Sequence, residues 1–353
     1  MDRAGRALRQ SGFFCRDSSA SLDGLANERN MAVIVHEEFA MSWQSALACW
    51  FLRRRFRPRT VQPGIDVARA RALTSKRVWS PKVPHGWRLI ERYGLADVPM
   101  RGEWLLPKTS NMSDGGLTTV LYLHGGGYYF CSPQTHRSLV FALARRSSAR
   151  IFSLDYRLAP EHPFPAALDD ALAAYRRLVA DGVSPRTIVI AGDSAGGGLA
   201  LATLLALRDA GDPLPAGGLL FSPWTDLAAT GASITSNDGR DPMFFGAAVG
   251  RAARLYLGDA DARDPLASPV YGRFDGLPPL FIQVGDTEVL LDDSTRVADR
   301  ARAAGITVDL EIWPKMPHAF QMFAPFMPEA NRALDRAANF VHSVVALDNE
   351  RAK

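Results

Sequence analysis

From residue 86 onward, short β-branched or apolar runs alternate with longer stretches of helical period, and this alternation restricts the fold more than any other feature. The strand-like runs are WRLIERY (87–93), RGEWLLP (101–107), TTVLYLH (118–124), RIFSLDY (150–156), TIVIAGD (187–193), GGLLFSP (217–223), PLFIQVG (279–285) and TVDLEIWP (307–314). Helical stretches lie at 133–147, 166–180, 195–210, 290–304 and 328–346. A strand that returns through a crossover helix pairs in parallel with its predecessor, so the order predicts an α/β fold with a mostly parallel sheet covered on both faces. The first two runs have no helix between them and predict an antiparallel hairpin at one edge.

Two regions depart from this rhythm. About fifty residues separate FSPWTDL from PLFIQVG, with helical content in FFGAAVGRAARLYLG (244–258) and no strong strand. An insertion of that size between sheet strands runs over the surface and often covers a site. With residues 41–85 it is read as a helical cap. The expected organisation is an N-terminal extension over 1–40, poorly ordered and with Met31 or Met41 as alternative starts of the folded part. The N-terminal part of the cap then occupies 41–85, a catalytic domain 86–346 with a cap insertion at about 226–262, and a tail 347–353.

The net charge of +4 does not mark a nucleic-acid binder. Residues 1–60 hold ten Arg against six Asp and Glu, while the other 293 residues balance 31 basic with 31 acidic side chains. No general basic field is left to neutralise a phosphate backbone. The cysteines, Cys15, Cys49 and Cys131, are odd in number and lack the spacing of a disulfide framework or a zinc site, which points to a reducing, cytoplasmic setting and no metal. SALACWFL (45–52) is too short to span a bilayer and is followed by its positive cluster RRRFRPR, which is not the order of a secretory signal. An Arg-rich amphipathic stretch over 45–59 admits peripheral membrane contact; the reading adopted from sequence is a surface helix with a solvated basic end.

The chemistry-bearing motif is Gly192-Asp193-Ser194-Ala195-Gly196, a G-x-S-x-G directly between an apolar strand and an apolar helix. A serine on so sharp a turn sits in strained backbone, and the flanking glycines remove side chains that would collide there. Its hydroxyl is pushed into a cleft, and the helix that follows aims its N-terminal amides at any oxyanion formed beside it. A serine hydroxyl is a weak nucleophile and needs a base, which in turn needs an orienting acid. His318, in WPKMPHAFQMF, lies just beyond the last strand, at the rim where α/β sites form. The acid should follow the preceding strand, where DTEVLLDD offers Asp286, Glu288, Asp292 and Asp293. Asp292 and Asp293 open a helix and read as N-terminal caps.

The three glycines of LYLHGGGYYF (121–130) then acquire a use. Attack on a carbonyl puts negative charge on its oxygen, which must meet preorganised N–H donors; losing one donor typically costs about 2.7–4 kcal/mol. Backbone amides serve only where no side chain blocks the approach. Gly126 and Gly127 supply bare backbone, and the amide of Ala195 completes the oxyanion hole. His124 is read as holding the glycine loop by hydrogen bonding.

HGGGYYF (124–130), DYRLAPEHPFPAALDD (155–170), GDSAGG (192–197) and HAF (318–320) together resemble the bacterial hormone-sensitive-lipase-like branch of the α/β-hydrolases over roughly residues 41–346. The branch usually shows His-Gly-Phe where this chain has His-Ala-Phe. The resemblance implies an α/β-hydrolase fold and an esterase with a serine nucleophile, a triad, a three-amide oxyanion hole and a helical cap, with no cofactor. The family's Asp-Pro-Leu-x-Asp pattern lies over Glu288-Val289-Leu290-Leu291-Asp292, which makes Glu288 the acid and keeps Asp286 in reserve. The implied partner is a small-molecule ester, a short-chain acyl or aryl ester; many relatives dimerise, which makes a homodimer a candidate assembly. Two other readings stay open: an amide or formamide hydrolase or lyase on the same scaffold, and a non-catalytic ligand-binding receptor, in which the triad histidine is typically lost. The 155–170 motif is expected to fix a loop beneath the site, with Arg157 paired to a carboxylate such as Asp193 and His162 a loop residue. Tyr128, Tyr129, Phe130, Phe244 and Phe245 are candidates for an acyl pocket or for core.

Overall fold

The computed structural model describes residues 33–35, 41–75, 81–110 and 116–351. Its strands are β1 (Val33–Val35), β2 (Trp87–Arg92), β3 (Gly102–Pro107), β4 (Thr119–Leu123), β5 (Arg150–Leu154), β6 (Ile188–Asp193), β7 (Gly217–Phe221), β8 (Leu280–Gly285) and β9 (Val308–Trp313). The helices are α1 (Trp43–Phe51), α2 (Val67–Ser75), α3 (Arg137–Ser147), α4 (Ala166–Ala180), α5 (Ala195–Asp209), α6 (Ser233–Ser236), α7 (Gly246–Leu257), α8 (Leu291–Ala303) and α9 (Pro328–Arg351).

The nine strands form one sheet in the order β1-β9-β8-β7-β6-β4-β5-β3-β2. β2 and β3 pair antiparallel at one edge and β3 joins β5 antiparallel, while the pairings from β5 through β4, β6, β7 and β8 to β9 are parallel. Every residue of β4, β5, β6, β7 and β8 is buried, as expected of parallel strands covered on both faces. On one face α4, α5 and α8 contribute Leu168, Leu199 and Val297 to the core; on the other α3 and α9 contribute Leu139 and Leu334.

The predicted strands and helices form close to their expected bounds, and the hairpin lies at the expected edge. Residues 33–35 differ from the expectation of a loose extension. The β-branched Val-Ile-Val pairs parallel with β9, Val33 opposite Leu310 and Val35 opposite Ile312. The rest of the 1–40 segment, including Cys15 and Met31, lies outside the described residues. At the other end α9 continues to Arg351, into the segment expected as a tail, and residues 352–353 lie outside the described residues.

The two segments read as a cap touch each other. Arg53 donates to the carbonyls of Gly239 (3.2 Å) and Arg240 (2.7 Å), Phe245 N–H donates to Thr60 Oγ1 (3.2 Å), and Phe56 meets Phe244 edge to face at 6.0 Å. Arg57 packs over the Phe245 ring at 3.5 Å and donates to the carbonyl of Asp238.

Candidate active site

Parallel strands deliver their carboxyl ends to one rim, and the predicted residues arrive there in turn: His124 after β4, Ser194 after β6, Glu288 after β8 and His318 after β9. Ser194 has φ 53° and ψ −123°, a conformation an L-residue holds only when its surroundings impose it. The turn is held by Ser194 N–H to the Phe221 carbonyl (2.9 Å) and by Trp224 N–H to the Ser194 carbonyl (2.9 Å). Its two glycines are required by space. A Cβ on Gly192 would lie 2.2 Å from the Gly196 carbonyl oxygen, and one on Gly196 would lie 2.0 Å from that of Leu123. Only bare backbone lets α5 fold back this closely onto β6 and β4.

His318 is 3% exposed, and its Nδ1 lies 2.7 Å from Glu288 Oε2. A carboxylate only accepts, so Nδ1 carries the hydrogen. Nε2 is buried without a hydrogen-bond partner, and His318, like Ser194, is among the residues that line the cavity. Burial pulls the imidazole toward neutrality, but the charge of Glu288 and its hydrogen bond, with Asp241 and Asp193 further away, outweigh it and hold the pKa above the usual histidine value. Glu288 is fully buried and held by its other oxygen, which accepts from Ser222 Oγ (2.7 Å) and Gly285 N–H (2.6 Å).

The other acids of DTEVLLDD point elsewhere. Asp286 accepts from Lys315 N–H (2.5 Å) and pairs at 3.4 Å with exposed Arg240, so it is the hydrogen-bonded loop carboxylate and does not reach His318. Asp292 and Asp293 do not cap their own helix. Asp292 accepts from Ser233 N–H (3.0 Å), and Asp293 from the amides of Thr225 (2.7 Å) and Asp226 (2.8 Å). They bind another segment because α8 starts where the 225–233 chain crosses it, and burial pushes the Asp293 carboxyl up to about 7.

The glycine loop is bare toward the same cavity, which Gly126 and Gly127 line. Both have positive φ, 114° and 59°, and a Cβ on Gly126 would lie 2.2 Å from the Phe130 carbonyl oxygen. Among the described residues the amides of Gly126, Gly127 and Ala195 donate to no other protein group, whereas Gly125 N–H donates to Asp193 Oδ1 at 3.0 Å. His124 donates from Nδ1 to the Gly125 carbonyl (2.7 Å), stacks on Tyr156 at 4.3 Å, and is pushed down to about 3 by burial and then by the neighbouring His136. A neutral loop clamp is what these contacts describe.

Sequence reasoning missed the anchor beneath the loop. The expected Arg157–Asp193 pair does not form: Arg157 bonds Asp170 at 2.8 Å, one strand–helix connection away. Asp193 instead accepts from Tyr122 Oη (2.7 Å) and Gly125 N–H and faces His136 Nε2 at 3.3 Å, all buried. Its pKa is lowered because His136, Tyr122 and His124 together outweigh the desolvation that would raise it. The signal available was the acidic residue inside G-x-S-x-G, directly before the nucleophile. Ser222 and Asp241 gave none. Asp241 is buried and accepts from the amides of Val289, Met243 and Phe244, tying the residue after Glu288 to the cavity wall.

The cavity encloses about 1020 Å³. Tyr129, Phe130 and Phe244 line it, but Tyr128 and Phe245 do not. Tyr128 is core, stacked on Tyr256 at 3.7 Å, and Phe245 lies under Arg57. The 155–170 motif does fix the loop: Tyr156 Oη donates to the His124 carbonyl (2.6 Å), and Arg71 of α2 bonds the Tyr129 and Ala159 carbonyls and Glu161. His162 is exposed on that loop. Among the described residues no cluster of His, Cys, Asp and Glu is arranged to hold a metal ion, and no helix is long and apolar enough to cross a membrane.

Comparison with known proteins identifies the fold and the family. A family model described as an alpha/beta hydrolase fold matches residues 120–322, more than half of the chain. An acetyl-hydrolase of Streptomyces hygroscopicus is 48% identical over 241 residues, covering 68% of this chain and 79% of that protein. An esterase of Acinetobacter venetianus is 39% identical over 226 residues, covering 64% and 75%. Among solved structures, an esterase from the bacterial hormone-sensitive lipase family superposes with a TM-score of 0.78 at 41% identity, covering 87% of this chain and all of that one. An esterase/lipase from an uncultured bacterium gives the same TM-score at 39% identity over 86% of this chain and 99% of its own. The chain therefore belongs to the α/β-hydrolase family, in its bacterial hormone-sensitive-lipase-like branch of esterases.

Proposed function

We propose that this protein hydrolyses carboxylic esters through an acyl-enzyme, with Ser194 as nucleophile, His318 as base and Glu288 as orienting acid. Ser194 Oγ attacks the ester carbonyl while His318 Nε2 takes its proton. The oxyanion is met by the amides of Gly126, Gly127 and Ala195. His318 then protonates the leaving alcohol, and the acyl group stays on Ser194 until a water, deprotonated by His318, releases the acid. Glu288 keeps the hydrogen on Nδ1, so that Nε2 is the nitrogen that exchanges protons, and stabilises the imidazolium that forms. The observation that carries this reading is the one-sided imidazole: Nδ1 engaged at 2.7 Å by a buried carboxylate and Nε2 left without a partner, in a residue that lines the same cavity as Ser194.

Residues 41–75 and the 226–262 insertion act as the cap, closing the cavity over the serine. Short-chain acyl or aryl esters are the substrates, since Tyr129, Phe130, Phe244 and Met243 give the cavity an aromatic and aliphatic wall beside the nucleophile. The test is p-nitrophenyl butyrate turnover by wild type and Ser194→Ala. Removal of a triad serine lowers kcat by roughly 10⁶; equal rates would end the assignment. The intact His318 on that cavity favours catalysis over a receptor role.

A further inference from the structure

Helix α1 is amphipathic the wrong way round for a helix facing water. Its inward face is small and polar: buried Ser45 and Ala48 sit against α9, where Ser42 N–H, Ser42 Oγ and Ser45 Oγ all bond the Glu329 carboxylate at 2.7–2.8 Å. Its outward face carries Trp43, Leu47, Trp50 and Phe51, exposed by 67, 48, 55 and 53%. At about 100° per residue these four fall within an arc of roughly 100°, the width of an apolar stripe that ordinarily faces a core. Phe326, 49% exposed, extends the patch by meeting Trp43 edge to face at 6.0 Å. Exposed apolar side chains gathered on one face mark an interaction surface.

Charge says what the surface fits. Residues 41–65 contain five arginines and no acidic residue. Arg53 and Arg57 are engaged by the 238–244 segment, but Arg54 and Arg55 are exposed just past α1, with Arg54 over the outward ring of Trp50 at 6.0 Å. A helix with Trp, Leu and Phe on one face and a cationic end has the composition of an interfacial helix, whose apolar side chains enter the headgroup–acyl boundary while arginines meet lipid phosphates. The chain that follows continues into the cavity wall through Phe56 and Arg59, and Met322 and Phe323, just before Phe326, line the same cavity.

We propose that the outward face of α1, with Phe326, docks on the surface of a bilayer containing anionic phospholipid, so that the cavity opens beside the lipid. This replaces the sequence-based reading of a solvated surface helix. The proposal rests on the cap geometry and not on the triad, and its deciding readout is vesicle binding, not turnover. Full-length protein is sedimented with large vesicles of phosphatidylcholine alone or mixed with phosphatidylglycerol, at low and high salt, alongside Leu47→Ser/Trp50→Ser and Arg54→Glu/Arg55→Glu. None of these four residues lines the cavity, so melting temperature and p-nitrophenyl butyrate turnover should match wild type. Wild type should pellet with phosphatidylglycerol vesicles, and either double variant or high salt should weaken this by about tenfold or more. Wild type remaining in the supernatant at low salt, or variants that bind as wild type does, would overturn the proposal. So would a dimer in light scattering that Leu47→Ser/Trp50→Ser dissociates, since a second copy would then cover the face.

Discussion

At the scale of single residues, hydrogen-bond geometry separates the two candidate acids and favours Glu288 in the proposed triad. Glu288 and Asp286 are two positions apart, yet one is fully buried with both oxygens engaged, one of them by His318, while the other binds Lys315 and an exposed arginine. The sequence could rank them only through the family pattern, because which of two loop carboxylates turns inward depends on Ser222 and Gly285 waiting to receive it. A pH dependence follows. His318 must be neutral to act as base, and its pKa is raised, so kcat/KM should fall as pH drops through an apparent pKa above 6.5 that belongs to the His318–Glu288 pair. Glu288→Gln removes the main influence raising it. That variant should lose roughly 10³–10⁴ in kcat and show its acid limb displaced to lower pH in a pH–rate profile.

At the scale of elements, the fit of α5 against β4 and β6 is what holds the serine in its strained turn. G-x-S-x-G was legible because its meaning is local: strand, tight turn, helix. The Asp193 anchor was not, because Tyr122 and Gly125 of the β4 stretch and His136, just before α3, reach Asp193 only after the sheet forms. The same blindness placed Arg157 with Asp193 when Asp170, at the start of the adjacent helix, is nearer. Strand β1 was missed because three residues give too short a pattern to stand out from a polar surrounding. Gly196→Ala tests the close approach. Its Cβ would stand 2.0 Å from a backbone oxygen that cannot swing away, so α5 must shift. The variant should lose about 3 kcal/mol of stability, read by urea denaturation, with activity falling further than the folded fraction does.

For the whole molecule, the alternation of strands and helices already implied a doubly covered parallel sheet, and the rim location of the site followed from it. What the pattern could not convey is how the antiparallel edge is secured. Arg137, which begins α3, bonds Glu103 of β3, itself 3% exposed and also accepting from Tyr93 Oη at 2.7 Å, and Glu91 of β2. A helix on one face is thus bolted to the two edge strands by a largely buried ion cluster. Arg137→Ala would leave Glu103 buried without its cation and should cost about 3–5 kcal/mol, measured by chemical denaturation.

The most direct test of Ser194 as the nucleophile is the reaction of the intact protein with a p-nitrophenyl alkylphosphonate, followed by peptide mass spectrometry. One stoichiometric adduct on Ser194 is expected, formed with release of nitrophenol and greatly slowed in His318→Ala. A protein that stays unmodified under conditions where it remains folded, or that carries the adduct on another residue, would contradict it.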